Sequence, residues 1–484
     1  MLPIRARFVA VCKLVVFVSA AFLFGRASLP IPLPYENFRI QIHDSVPMIL
    51  SFPSQFGTLV SLCKNPPARM STYFMTTTHG FFVAARRTVV ESNEKSPMKN
   101  RALTRREFIA RGLAVAASMP LLELDQHRVL ATSSPGARHP DAKVAIVQCR
   151  SYGPELRPAF DQCFDLLGGI GPLVKDKTVT VKLNLTGTNF TDFLGKPVGE
   201  TYMTHPATAM ALAAALFRAG ARRVRFVEST QSSAELESTL SLADWDIKAL
   251  QALGPMEFEN TRNLGKGKKY SHFKVPGQGY MFSSLDLNHA YEETDVMVSL
   301  AKLKNHVTAG VTLSMKNLFG LTPNSLYGSQ AGSEDATDGR MPLHNPQGFE
   351  KLRLPGLKEG INSSDPTWRV PRIVADVCAA RPIHLAIVDG ITSMKGGEGP
   401  WCEGAKIEAT SPGLLIAGLN PVSTDAVATA LMGYENPRAV RGVKPFHFCD
   451  NHLLLAEEAG LGTAVLEQID VRGLAIEKAR YSYG

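Results

Sequence analysis

Between Ser299 and Leu321 the chain reads SLAKLKNHVTAGVTLSMKNLFGL, and its chemically capable residues are Lys302, Lys304, His306, Lys316 and Asn317. Four potential cations among Leu, Val and Phe are costly to bury unless something pairs with them. One solution is an anion site, in which ammonium groups at strand ends and the amide end of the following helix hold a phosphate or carboxylate. A lysine beside a like charge also loses basicity, and can then serve as a base or a Schiff-base nucleophile. The structural alternative pairs the same cations with Glu228, Asp389 and Asp425. The site reading is preferred, with Lys302, Lys304, His306 and Lys316 as catalytic candidates.

Other candidates are scattered along the chain. Lys182 and Asn184 close the run KTVTVKLNL, and Glu228 closes RRVRFVES. His205 stands just before a helix in YMTHPAT, where it is either catalytic or merely exposed. In GGEGPWCEG the glycines permit close backbone approach, so Glu398 is an acid, a base or a metal ligand pointing into the crevice, or else sits in a plain tight turn. HFCDNH gathers His447, Cys449, Asp450 and His452. A soft metal site is conceivable there, but a helix start capped by Asp450 or Asn451 is the better reading, and no metal is assigned. The ligand-binding set is therefore Lys182, Asn184, His205, Glu228, Asn317, Asp389, Glu398 and Asp425. No G-x-S-x-G, Walker A or G-x-G-x-x-G motif occurs, so serine hydrolase, P-loop and ordinary nicotinamide chemistry have no support.

Positioning such residues requires elements, and the pattern supplies them. AKVAIVQC, KTVTVKLNL, RRVRFVES, DVMVSL, PIHLAIVDG and PGLLIAGL read as strands. Helices are expected from Pro154 to Leu167, from Thr204 to a stop at Gly220, and from Pro421 to about Met432. Alternating strands and helices imply an α/β fold: mostly parallel sheet with helices on both faces, as one body or as two lobes around a central crevice. Lys182, Asn184, Glu228, Lys302, Lys304, His306 and Asp389 fall at strand carboxyl ends, outside which ligands bind in open α/β sheets. The long polar, Gly-rich stretch over 322–360 is expected to cover that crevice with the Glu398 loop.

The net charge of +8 over 484 residues is not spread evenly. Residues 1–131 hold 16 Lys/Arg against 7 Asp/Glu, whereas residues 132–484 hold 36 against 37. The body thus lacks the bulk basicity of a polyanion-binding domain, and no nucleic-acid partner is expected. The seven cysteines include no C-x-x-C, which excludes a ferredoxin-type cluster module. Thr104, Arg105, Arg106 and Phe108 match a twin-arginine motif, followed by an apolar run and VLA at Ala131. Residues 98–131 then read as a signal peptide starting at Met98, and 1–97 as an upstream extension or disordered leader. The twin-arginine translocase and a periplasmic or extracytoplasmic location follow as expectations.

VKLNLTG, THPATAMALAAALFRAGARRVRFVES, TDVMVSLAKLKNHVTAGVTLSMKNLFGL, IVDGITSMKGGEGP and NPVSTDAVATALMG resemble, in that order, the domain of unknown function 362 family. The resemblance spans roughly residues 142–473. It implies frequent twin-arginine export and relatives with a fused two-cluster ferredoxin domain, but no secure reaction. This chain lacks the cluster cysteines, and has Asn420 where the family more often has Asp, leaving Asp425 as the matching acid. The expectation is a protein with a Lys/His/carboxylate crevice for a small anionic molecule, acting by proton transfer next to a carboxylate. A non-catalytic binding protein and a redox accessory to an iron–sulfur partner are the alternatives. The sequence names no cofactor.

Overall fold

The computed structural model describes residues 142–402 and 406–484, and before them only a short antiparallel pairing of Met48–Leu50 with Val60–Leu62. The chain divides into a unit ending at Pro120 and a unit from Leu121 to Gly484. Met98 and the Thr104–Phe108 motif lie outside the described residues.

The larger unit is organised by one eight-stranded sheet. In chain order its strands are β1 (Lys143–Gln148), β2 (Thr178–Lys182), β3 (Arg223–Glu228), β4 (Met256–Asn260), β5 (Val296–Lys302), β6 (Leu385–Gly390), β7 (Leu414–Gly418) and β8 (Asp470–Gly473). Across the sheet they run β8-β1-β7-β6-β5-β2-β3-β4. Every neighbouring pair is parallel except the two made by β7, which runs against both β6 and β1. The strand pattern of PGLLIAGL therefore stands, but the parallel direction expected of it does not. Among the described residues between Gly390 and Leu414 the chain makes only the hairpin Ser393–Lys395 with Glu408–Thr410. No crossover helix returns it to the starting edge, so the next strand must run back.

Both faces of the sheet are covered, as the buried, Val/Ile/Leu-rich strands require. Ala145, Val147, Val181, Phe226, Val298, Leu300, Ile387 and Leu415 pack under α1 (Leu156–Leu167) and α2 (Pro206–Arg218). Val144, Ile146, Met297, Val388 and Ile416 belong to the opposite core. That core also takes residues of α3 (Ser314–Asn317), α4 (Pro366–Ala380), α5 (Pro421–Leu431) and α6 (His452–Glu458). The helix starts are chemically marked. The His205, Asn420 and Asn451 side chains accept from the backbone N–H groups of Ala207, Ser423 and Leu453 respectively. HFCDNH is thus a capped helix start, with Asp450 bonded to Arg372. Among the described residues no helix is long and apolar enough to cross a membrane.

Candidate functional site

The carboxyl edge of the sheet carries charge on both faces, and the pleat sorts it. In the parallel register Lys182 stands opposite Ser299. Ser299 and Lys302 are three residues apart on one strand, so Lys182 and Lys302 project to opposite faces.

On the Lys302 side the charges are sealed. Lys302 Nζ donates to the Gly199 carbonyl at 2.6 Å, to Tyr152 Oη at 2.8 Å and to Asp389 Oδ2 at 3.1 Å. Those three acceptors use all three ammonium hydrogens. Asp389 also accepts from Thr208 Oγ1, Tyr152 Oη and the Ile391 N–H. Lys302 and Asp389 are almost fully buried. Burial lowers the lysine's pKa, against the attraction of Asp389. His205 stacks on Tyr152 with ring centroids 3.5 Å apart, and burial followed by the Lys302 charge pulls its pKa down to about 4. It is a neutral helix cap beside an internal ion pair.

On the other side lies a cavity of about 210 Å³. Lys182, Asn184, Glu228, Lys304, His306, Lys316, Asn317 and Glu398 all line it, so eight of the twelve sequence-predicted residues meet there. Lys302, His205, Asp389 and Asp425 are not in the lining. Asp425 sits at the start of α3, where its carboxylate accepts from Ser314 N–H, Ser314 Oγ and Met315 N–H at 2.6–2.9 Å. Burial pushes its pKa up to about 7 despite those three bonds.

The cavity's anions are already engaged. Glu228 pairs with Lys182 at 2.5 Å and accepts from the Leu185 and Ser229 N–H groups. Glu398 accepts from the Val307 N–H at 2.9 Å and from Trp401 Nε1 at 3.3 Å. The cations are less well provided for. Lys316 Nζ has no hydrogen-bond or ion-pair partner among the described residues, and lies 4.5 Å from the Phe319 ring centroid. Burial pulls its pKa down to about 8; Glu398 opposes the shift, while Arg340 and Lys182 add to it. Arg340 binds the carbonyls of Thr322 and Ser229 and the Asn324 amide oxygen through Nε and Nη2, leaving Nη1 without a partner among the described residues. Among the described residues four basic side chains, those of Lys182, Lys304, Lys316 and Arg340, thus face two carboxylates, and both carboxylates are spoken for.

Lys304 is different again. Its Nζ donates to the carbonyls of Tyr202 at 2.7 Å and Glu398 at 2.9 Å, and burial is the main cause that brings its pKa down to about 7. His306 Nδ1 accepts from the Thr308 N–H at 3.2 Å, and Nε2 stands 4.0 Å from Glu398. Burial first, then Lys316 and Lys304, depresses its pKa and keeps the ring neutral, which leaves the proton on Nε2.

Sequence reasoning missed Arg340 and Trp401, which also line the cavity. Arg340 lies in the 322–360 segment, whose composition signals a covering loop without saying which of its cations turns inward. Gly320 was missed too. A Cβ there would come within 2.9 Å of Lys182 Nζ and 3.3 Å of Glu228 Oε1, so the absent side chain is what admits this ion pair.

A family model described as Domain of unknown function (DUF362) matches residues 179–430, a span that includes every cavity-lining residue named above. No curated protein matches the chain.

Proposed function

The chain belongs to the family described as Domain of unknown function (DUF362), and from that premise we propose that its cavity binds a small anionic molecule and acts on it by proton transfer next to a carboxylate. One observation carries the reading: Lys316 and Arg340 line the cavity, and among the described residues Lys316 Nζ and Arg340 Nη1 have no protein acceptor, while Glu228 and Glu398 are bonded elsewhere. Cations held in that state are stabilised by an incoming anion and destabilised without one. Asn184 adds polarity to the wall. Its Oδ1 accepts from the Lys302 N–H, leaving its NH₂ free to donate.

The test is thermal unfolding with and without inorganic phosphate or small mono- and dicarboxylates. A ligand at a hundredfold excess over its Kd stabilises by about 2.7 kcal/mol. If no anion in the panel raises the midpoint, the cavity is not an anion site.

The Thr104–Phe108 motif supports export through the twin-arginine translocase, which puts the ligand in an extracytoplasmic compartment. Arg105→Lys combined with Arg106→Lys should retain the protein in the cytoplasm. Undiminished export of that double variant would refute this location.

A further inference from the structure

Lys304 is held in a way that distinguishes the two kinds of chemistry open to a buried lysine. It is 1% exposed, and its Nζ donates to two main-chain carbonyls, those of Tyr202 and Glu398. A neutral amine has two N–H bonds and one lone pair, so the two carbonyls use both hydrogens. One tetrahedral direction remains, and Lys304 is among the residues that line the cavity.

We propose that Lys304 is the proton acceptor of this cavity rather than an imine-forming nucleophile, and that the ligand class is a small carboxylate with a removable hydrogen on the adjacent carbon. The proposal rests on the anion-binding reading above and assigns its chemistry. An iminium nitrogen carries one N–H, so imine formation would leave one of the two buried carbonyls without a donor, at about 1–3 kcal/mol. Protonation breaks neither bond. The amine becomes an ammonium group that keeps both carbonyls and gains a third hydrogen facing the ligand.

The step balances without any further reagent. The C–H bond breaks, its proton goes to Nζ, and its electron pair delocalises into the carboxylate as an enediolate. Lys316 and Arg340 supply the cations for the added charge, and Lys316 is near enough to Lys304 to lower its basicity. The reverse step returns the proton to carbon. His306 is not the acceptor, because Nδ1 is occupied by the Thr308 N–H and Nε2 bears the hydrogen. It serves as a donor to the ligand.

The test uses the full chain with lysine labelled with carbon-13 at Cε. One resonance should titrate near pH 7, disappear in Lys304→Arg, and move to higher pH in saturating phosphate. Treating unsubstituted protein with pyruvate and borohydride should add no mass at Lys304. A stable adduct at Lys304 would overturn the proposal, as would a Lys304 resonance titrating above pH 9. So would a resonance indifferent to phosphate in a protein that phosphate still stabilises. A near-neutral Lys304 in a protein that no anion stabilises would instead sink the binding reading, and this proposal with it.

Discussion

Lys302 and Lys316 come from one short stretch of sequence and meet opposite fates, which makes them a natural pair of substitutions. Lys302→Met leaves Asp389 buried beside Tyr152 and Thr208 with its cation gone. Removing one partner of a buried pair costs about 3–5 kcal/mol, so urea or thermal denaturation should show a large loss. Lys316→Met removes a cation with no acceptor among the described residues. It should leave the ligand-free midpoint unchanged or higher while abolishing the midpoint rise on adding phosphate. A Lys316→Met protein as damaged as Lys302→Met would mean that Lys316 is part of the scaffold. Acidity separates the two states as well. The folded values of about 7 for Lys304 and about 8 for Lys316 lie below the unfolded lysine value of about 10.4. Between those limits the unfolded chain holds more protons, so the stability of the ligand-free protein should rise with pH across roughly pH 7–10. Anion affinity should fall over the same range as Lys316 loses its charge. Melting curves with and without phosphate, compared at pH 6.5 and 9.5, check both signs.

At the scale of elements, the short helix α3 connects the scaffold to the cavity. It carries Lys316 and Asn317, and its first N–H groups are held by Asp425 from α5. Asp425→Ala frees those groups and the Ser314 hydroxyl inside a fully buried site, at about 1–3 kcal/mol per unsatisfied group. It should therefore lower anion affinity although Asp425 does not line the cavity; unaltered affinity in the folded variant would separate α3 from ligand binding. Gly320→Ala crowds the Lys182–Glu228 pair and should cost about 1–3 kcal/mol, read as a lower midpoint together with weaker phosphate stabilisation. Much of this level was legible in the sequence. Short apolar runs rich in Val and Ile locate β1, β2, β3 and β5, and Pro206, Pro421 and the Asp450–Asn451 pair mark helix starts. The direction of β7 was not legible, because it depends on what the Gly390–Leu414 connection does rather than on LLIAG itself. Nor was the separation of Lys302 from Lys182. Strand-end position placed both at one edge, but the face depends on register against neighbours more than a hundred residues away. Arg340 had no local signal at all, since its role comes from reaching across to Ser229 and Asn324.

At the scale of the molecule, all eight sheet strands come from residues 143–473. A chain beginning after Ala131 should therefore unfold at the same midpoint and in one transition with the same steepness as the full chain. A lower midpoint would reveal that earlier residues pack on the sheet. The position of β1 bears on how this protein is made. It is the first sheet strand to leave the ribosome, yet its two neighbours are β7 and β8, among the last. About 270 residues separate Gln148 from Leu414, so at about 5–20 residues per second β1 waits on the order of ten to fifty seconds for a partner. Throughout that interval Val144, Ala145, Ile146 and Val147 form an apolar edge with free N–H and C=O groups on a nascent chain. The order of the sheet thus writes into this protein a long dependence on whatever shields unfinished polypeptide during translation.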